Sequence, residues 1–307
     1  MHDFRFGVQL SSAPSGSDWL DLARRAESLG YGVLNMPDHL DRQLSPLAAL
    51  GAVAAATTHI RLSAFVFAND YRHPLILARE AATLDFLSGG RFELGLGAGW
   101  MKSDYRALGL HYEPASARVD RLEEAIPIVK ALMAGEEVTH HGPAFHLERA
   151  TSGVPLVQKP RAPLAIGGGR PRMLRLAARE ADIVGITTGF SRRGWPLITH
   201  GTESALADQV ALVREAAGDR FEQLELNLWI GSAGIAGSGN SIAGSVTAAA
   251  LGAAGAVYGS PYVMYGTLGS LRDLLLRRRD KLGVSYYTIP ARSMETMAPL
   301  VQELAGK

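Results

Sequence analysis

One pattern constrains this chain more than any other: a short apolar run, a loop with Gly, Pro or Asp, then a stretch of helical periodicity, repeated along the sequence. The runs are RFGVQL (5–10), YGVLNM (31–36), IRLSAFVF (60–67), RFELGLG (91–97), PLAIG (163–167), ADIVGI (181–186), QLELNLWIG (223–231) and VSYYTI (284–289). Helical stretches follow at 18–30, 46–57 and 74–87, then a helical region reaching Leu132, and then stretches at 172–181, 203–218, 270–283 and 293–305. The runs are apolar on both faces, as parallel strands covered by helices must be. Eight such units predict an α/β fold, a (β/α)8 TIM barrel, which closes the sheet and leaves no edge. A doubly wound open sheet is the rival, but FGVQLSSAPSGS after the first run lacks the G-x-G-x-x-G pattern.

The spacing is uneven in one place. From the fourth run to the fifth takes about 70 residues, against about 30 for the earlier units. The excess contains EEVTHHGPAFHLERA (136–150), which reads as a hairpin turning at Gly142-Pro143. Insertions are therefore expected after strands four and six, within a single domain over 1–307. Apolar residues at 47% and charged residues at 20% suit a well-cored globular protein. A formal charge of +1 gives no reason to expect nucleic acid or an anionic membrane surface. With no cysteine, disulfides, thiolate metal sites and cysteine nucleophiles are excluded, which suits a cytoplasmic location. MHDFRFGVQL has no signal-peptide pattern, and residues 230–257 are Gly, Ala and Ser rather than Leu and Ile, so no membrane span is expected.

In a barrel of this kind the chemistry lies at the C-terminal ends of the strands. That rule selects Asp38-His39, Ala68-Asn69-Asp70, Gly97-Ala98-Gly99-Trp100, Gly167-Gly168-Gly169-Arg170 and Thr187-Thr188. A lone Asp-His reads equally well as a helix-capping loop. In GLGAGW the glycines let backbone approach something flat, and IGGGRPRM sets three glycines at a helix start, where an anion is favoured. A tight turn is the plain alternative for each. Together they point to a phosphorylated cofactor. There is no P-loop and no G-x-S-x-G elbow. His140, His141 and His146 fall in the hairpin without carboxylates in zinc-enzyme spacing, so no metal is expected. The Arg277-Arg278-Arg279 run reads as the solvated face of a helix. Trp100, Tyr105, Phe190 and Trp195 suggest an apolar pocket.

LSGGRFELGLGAGW (87–100), the PDH after strand two, YRHP after strand three, KPRAPLAIGGG and the closing LGVSYYTI together resemble the luciferase-like flavin and deazaflavin oxidoreductases. The likeness spans about 1–305 and is strongest to the actinobacterial branch that uses coenzyme F420. It implies that Asp38 and His39 stand at the cofactor's reactive edge, with His39 as the acid/base. It implies a cis Phe65–Val66 peptide supporting the ring, cofactor contacts at Ala68, Ala98 and Gly99, a phosphate loop at Gly167, Gly168 and Gly169, and Thr187 beside the cofactor's chain. Sugar-phosphate dehydrogenases of the branch carry a glutamate where this chain has Trp100 and a tryptophan where it has Gln43, which argues against that substrate. The resulting expectation is an F420-dependent hydride transfer to or from a small organic substrate, by a homodimer. An FMN-dependent monooxygenase and a non-catalytic flavin-binding protein are the alternatives, with a metal hydrolase further off. Arg192 and Arg193 are expected to pair with the carboxylates of an F420 tail.

Overall fold

The computed structural model describes residues 2–188, 201–235 and 259–307. Its strands are β1 (Arg5–Gln9), β2 (Val33–Met36), β3 (Arg61–Ala68), β4 (Phe92–Gly97), β5 (Val138–His141), β6 (His146–Ala150), β7 (Leu164–Gly168), β8 (Ile183–Ile186), β9 (Glu225–Trp229), β10 (Ser232–Ile235), β11 (Val263–Gly266) and β12 (Val284–Pro290). Eight of them close a parallel barrel in the order β1-β12-β9-β8-β7-β4-β3-β2, which is chain order around the ring. Every residue of β2, β4 and β12 is buried. That is why these strands read as unbroken apolar runs instead of alternating ones.

The helices are α1 (Gly16–Ser28), α2 (Pro46–Ala56), α3 (Pro74–Leu87), α4 (Lys102–Leu108), α5 (Ala115–Met133), α6 (Pro171–Glu180), α7 (Glu203–Ala217), α8 (Leu268–Leu282) and α9 (Met294–Leu304). Proline opens α2, α3 and α6, at the one helical position where its missing N–H costs nothing. Thr202 and Thr267 cap α7 and α8 by accepting from the N–H of Ala205 and Ser270 at 3.1 and 3.2 Å.

The chain forms two compact units. One comprises Ser11–Ala23 and Met36–Ile166, the other Met1–Leu10, Arg24–Asn35 and Gly167–Lys307. The first is cored by Leu62, Phe67, Leu94, Leu122 and Ile126. In the second, Phe6 stacks on Tyr287 with ring centroids 6.1 Å apart, and Arg279 lies 4.2 Å over the ring of Phe4.

Three expectations need amending. The helical region after strand four is two helices, broken at Gly109, where φ is +70°. The hairpin forms, with β5 and β6 antiparallel and the Gly142 N–H donating to the Phe145 carbonyl at 3.0 Å. Its histidines, however, have carboxylate partners: His140 lies 3.0 Å from Glu124 and His141 3.2 Å from Glu148. The arginine run is only partly a solvated face: Arg277 is exposed, whereas Arg278 is buried and ion-paired with Glu203. A two-stranded parallel sheet of β10 and β11 also brackets the small-residue stretch. The loop after β8, with Phe190, Arg192, Arg193 and Trp195, and residues 236–258 lie outside the described residues. Among the described residues no helix is long and apolar enough to cross a membrane.

Candidate active site

β2 ends at Met36, and the two residues of interest follow Pro37. Asp38 is buried. Its Oδ2 accepts from the Ala68 N–H at 3.0 Å and from Arg72 Nη1 at 2.6 Å, while Oδ1 accepts from Arg72 Nη2 at 3.0 Å. Arg72 in turn lies 4.6 Å over the ring of Phe67. Asp38 therefore joins the end of β2 to the end of β3 through a bidentate pair. Both Asp38 oxygens are thus committed to Ala68 and Arg72, and His39 takes a different carboxylate.

The carboxylate on His39 is Asp104. His39 Nδ1 stands 2.9 Å from Asp104 Oδ2, and the imidazole meets the Trp100 ring edge-on, centroids 5.5 Å apart. Asp104 is buried in the first turn of α4, where a negative charge suits the helix dipole. A carboxylate at Nδ1 requires the ring hydrogen there, which leaves Nε2 as the acceptor of the neutral ring. The Tyr71 hydroxyl donates to the same Asp104 oxygen at 3.4 Å. Burial, then the charge of Asp104, push the Tyr71 phenol far up, so it stays protonated. Sequence reasoning missed Asp104. Its only signal was an acidic residue one turn after Trp100, at a helix start.

Around this pair the β4–α4 loop is held from within. Arg118 Nη1 donates to the Gly99 carbonyl at 2.5 Å, and the Tyr112 hydroxyl donates to the Trp100 carbonyl at 2.9 Å. Tyr105 is buried and donates to Asp70 Oδ2 at 2.8 Å, so it is a strut and not a pocket wall. Burial and Asp70 raise its phenol as well. Arg121 Nη1 reaches the same Asp70 oxygen at 2.9 Å. Gly99 has φ +71°, and a Cβ there would meet the Tyr105 hydroxyl at 2.3 Å.

The Phe65–Val66 peptide is cis, at the register break between Ala64 and Phe67 where β3 pairs with β4. Facing it, a Cβ on Gly95 would lie 2.2 Å from the Ala64 carbonyl oxygen. The glycine in β4 thus makes room for β3 itself, which amends the reading of GLGAGW as space for a flat ligand. Ala68 closes β3. The next residue, Asn69, is buried and its side-chain nitrogen has no acceptor.

Gly167, Gly168, Gly169 and Thr187 belong to the other unit. The first two close β7, Gly169 and Arg170 lead into α6, and Thr187 follows β8. The Thr187 N–H donates to the Gly168 carbonyl at 3.3 Å. Among the described residues no group of three or more His, Cys, Asp or Glu is placed to hold a metal ion.

The luciferase-like monooxygenase profile matches residues 1–251. The chain belongs to that family. Within the luciferase-like proteins it is 34% identical over 196 residues to an F420-dependent glucose-6-phosphate dehydrogenase of Microbacterium testaceum, covering 60% of this chain and 57% of that protein. It is 35% identical over 177 residues to the 4-hydroxyprotoasukamycin monooxygenase of Streptomyces nodosus subsp. asukaensis, covering 51% and 47%. The chain thus spans about half the length of these curated luciferase-like relatives. An F420-dependent secondary alcohol dehydrogenase solved with an F420-acetone adduct shares the fold, with a TM-score of 0.77 over 99% of both chains at 17% identity.

Proposed function

We propose that this protein is an oxidoreductase that moves a hydride between a bound deazaflavin of the coenzyme F420 type and a carbon of a small organic substrate, with His39 handling the proton. The observation that carries this reading is the His39–Asp104 contact of 2.9 Å, made by a half-buried imidazole and a buried carboxylate. A group held this way at one ring nitrogen is free to exchange a proton at the other.

The residues present fit the cofactor. The unpartnered Asn69 nitrogen is a buried donor of the kind a ring carbonyl satisfies. When bound, a deazaflavin supplies a carbon that accepts or returns a hydride. Around it, the protein's own groups do the rest. His39 takes up or returns the substrate proton at Nε2. Asp104 holds the hydrogen at Nδ1, and Tyr71, kept protonated, donates to Asp104. Asp38 and Arg72 fix the ends of β2 and β3, and Ala98 and Gly99 present backbone held by Tyr105 and Arg118. Gly167, Gly168, Gly169 and Thr187 take the cofactor's phosphate-bearing chain. The substrate is not a sugar phosphate in this reading. Trp100 sets an aromatic ring against His39, and Gln43 is tied to the Pro37 carbonyl at 2.7 Å. Ile76, Phe86 and Leu87 of α3 are exposed, an apolar surface that the expected homodimer would cover.

Titrating the purified protein with coenzyme F420 and with FMN, followed by the absorbance of the bound ring, tests the proposal. Tighter binding of F420 is expected. A second reading, an FMN-dependent monooxygenase, is favoured by the similarity to the Streptomyces enzyme. Preferential retention of FMN with oxygen-consuming turnover would establish it instead.

A further inference from the structure

Gln209 of α7 is a buried side chain that uses the whole of its amide. Its Nε2 donates to the Gly169 carbonyl and to the Thr187 carbonyl, each at 3.0 Å. Its Oε1 accepts from the Tyr262 hydroxyl at 3.1 Å. Two carbonyls at one end and a hydroxyl donor at the other fix which way the amide points, because only the NH2 end can serve both carbonyls. The helix that carries it is itself anchored, since Arg278 Nε donates to Glu203 Oε1 at 3.0 Å in the first turn of α7. With the Thr187 N–H on the Gly168 carbonyl, the carbonyls of Gly168 and Gly169 after β7 and of Thr187 after β8 are all engaged inside the protein.

We infer that Gln209 is a positioning residue for the phosphate of the bound cofactor. An anion meets a loop favourably when N–H groups face it and carbonyl oxygens do not. Gln209 holds two of those oxygens away, and does so without charge. A carboxylate in its place would repel the phosphate, and a cation would compete with the loop for it. The inference rests on the cofactor reading above, in which residues 167–169 take the phosphate.

The test compares FMN with riboflavin, a pair that differs only in the phosphate, and coenzyme F420 with its deazariboflavin core, which lacks the phosphate together with the carboxylate tail. The wild-type protein is expected to prefer the phosphorylated member of at least one pair. Gln209→Leu should cut that preference by about tenfold or more, the scale of one charge-assisted hydrogen bond. Affinity for riboflavin and the core should stay within about twofold of wild type. Because Gln209→Leu strips the Gly169 and Thr187 carbonyls and the Tyr262 hydroxyl of this partner, Tyr262→Phe serves as the milder variant. It removes only the hydroxyl that orients the amide and should reduce the preference by about threefold. Equal losses for both members of each pair, or an undiminished preference in both variants, would overturn the role of Gln209 alone. A wild-type protein with no preference in either pair would instead remove the phosphate reading on which the inference rests.

Discussion

Two carboxylate pairs flank the end of β2, and they are built to opposite ends. Asp38, its side chain 2% exposed, spends both oxygens on Arg72 and on the Ala68 N–H. Asp104, 3% exposed, holds one nitrogen of His39, whose side chain remains 22% exposed. In the first pair every strong acceptor is satisfied within the protein, so the pair resists change and joins two strands. In the second pair, among the described residues, only the Nδ1 nitrogen of the ring is held. Saturation marks architecture, and an open valence beside a fixed partner marks chemistry.

The comparison breaks most visibly at His39. His39→Ala should lower turnover by about 10²–10⁴-fold, the usual contribution of a positioned acid/base. Cofactor affinity should stay near wild type, while the melting temperature should fall modestly, because Asp104 is left buried with only the long Tyr71 hydrogen bond. Steady-state rates with the preferred cofactor, set beside a thermal melt, would decide it. An unchanged rate would sink the proton role.

Asp38→Ala should show the reverse. Removing one partner leaves Arg72 uncompensated beside Phe67, and breaking such a pair costs about 3 kcal/mol, the low end of the range because Arg72 keeps some contact with water. The loss should appear in denaturant unfolding as a lower midpoint at constant slope. A variant as stable as wild type but catalytically dead would return Asp38 to the chemistry.

Asp104→Asn sharpens the second pair. The amide preserves shape but removes the charge that holds the imidazole, so kcat should fall about tenfold to hundredfold, less than on losing the ring itself. Cofactor dissociation constants should hold steady, and Asp104→Glu should recover part of the rate. A fall confined to KM would show that Asp104 shapes the pocket instead.

How far these regions were legible in the sequence follows from how local their causes are. The strand of RFELGLG and the helix over 74–87 could be read because burial on both faces, and proline at a helix start, are written in consecutive residues. The cis Phe65–Val66 peptide was implied by resemblance and is present. Asp104, by contrast, reaches His39 across 65 positions, and no spacing rule connects them. Asp38 and His39 are neighbours in sequence, yet each takes its own partner, Arg72 and Asp104, far along the chain. Arg278 looked solvated because two more arginines flank it, although its partner Glu203 lies 75 positions away.

The smallest effect is expected at Tyr71. Its hydroxyl reaches Asp104 at 3.4 Å, a long hydrogen bond that contributes less than about 1 kcal/mol, so Tyr71→Phe should change turnover by less than about fivefold. Its clearer signature lies in alkali. Burial and the Asp104 charge raise the folded phenol above its ordinary value near 10, whereas the unfolded chain titrates there. Above that pH the unfolded state has lost a proton that the folded state keeps, so stability falls as pH rises. Tyr71→Phe removes one such group. The alkaline slope should flatten by at most about 1.4 kcal/mol per pH unit, reduced by the partial solvent screening of this half-buried ring. Tyr31, Tyr105, Tyr262 and Tyr287 are raised in the same direction and should keep the remaining slope in place. Urea midpoints measured between neutral pH and strong alkali would show it. A slope unchanged by the substitution would mean that Tyr71 ionises in the folded state as freely as in the unfolded one, and the protonated donor to Asp104 would have to be abandoned.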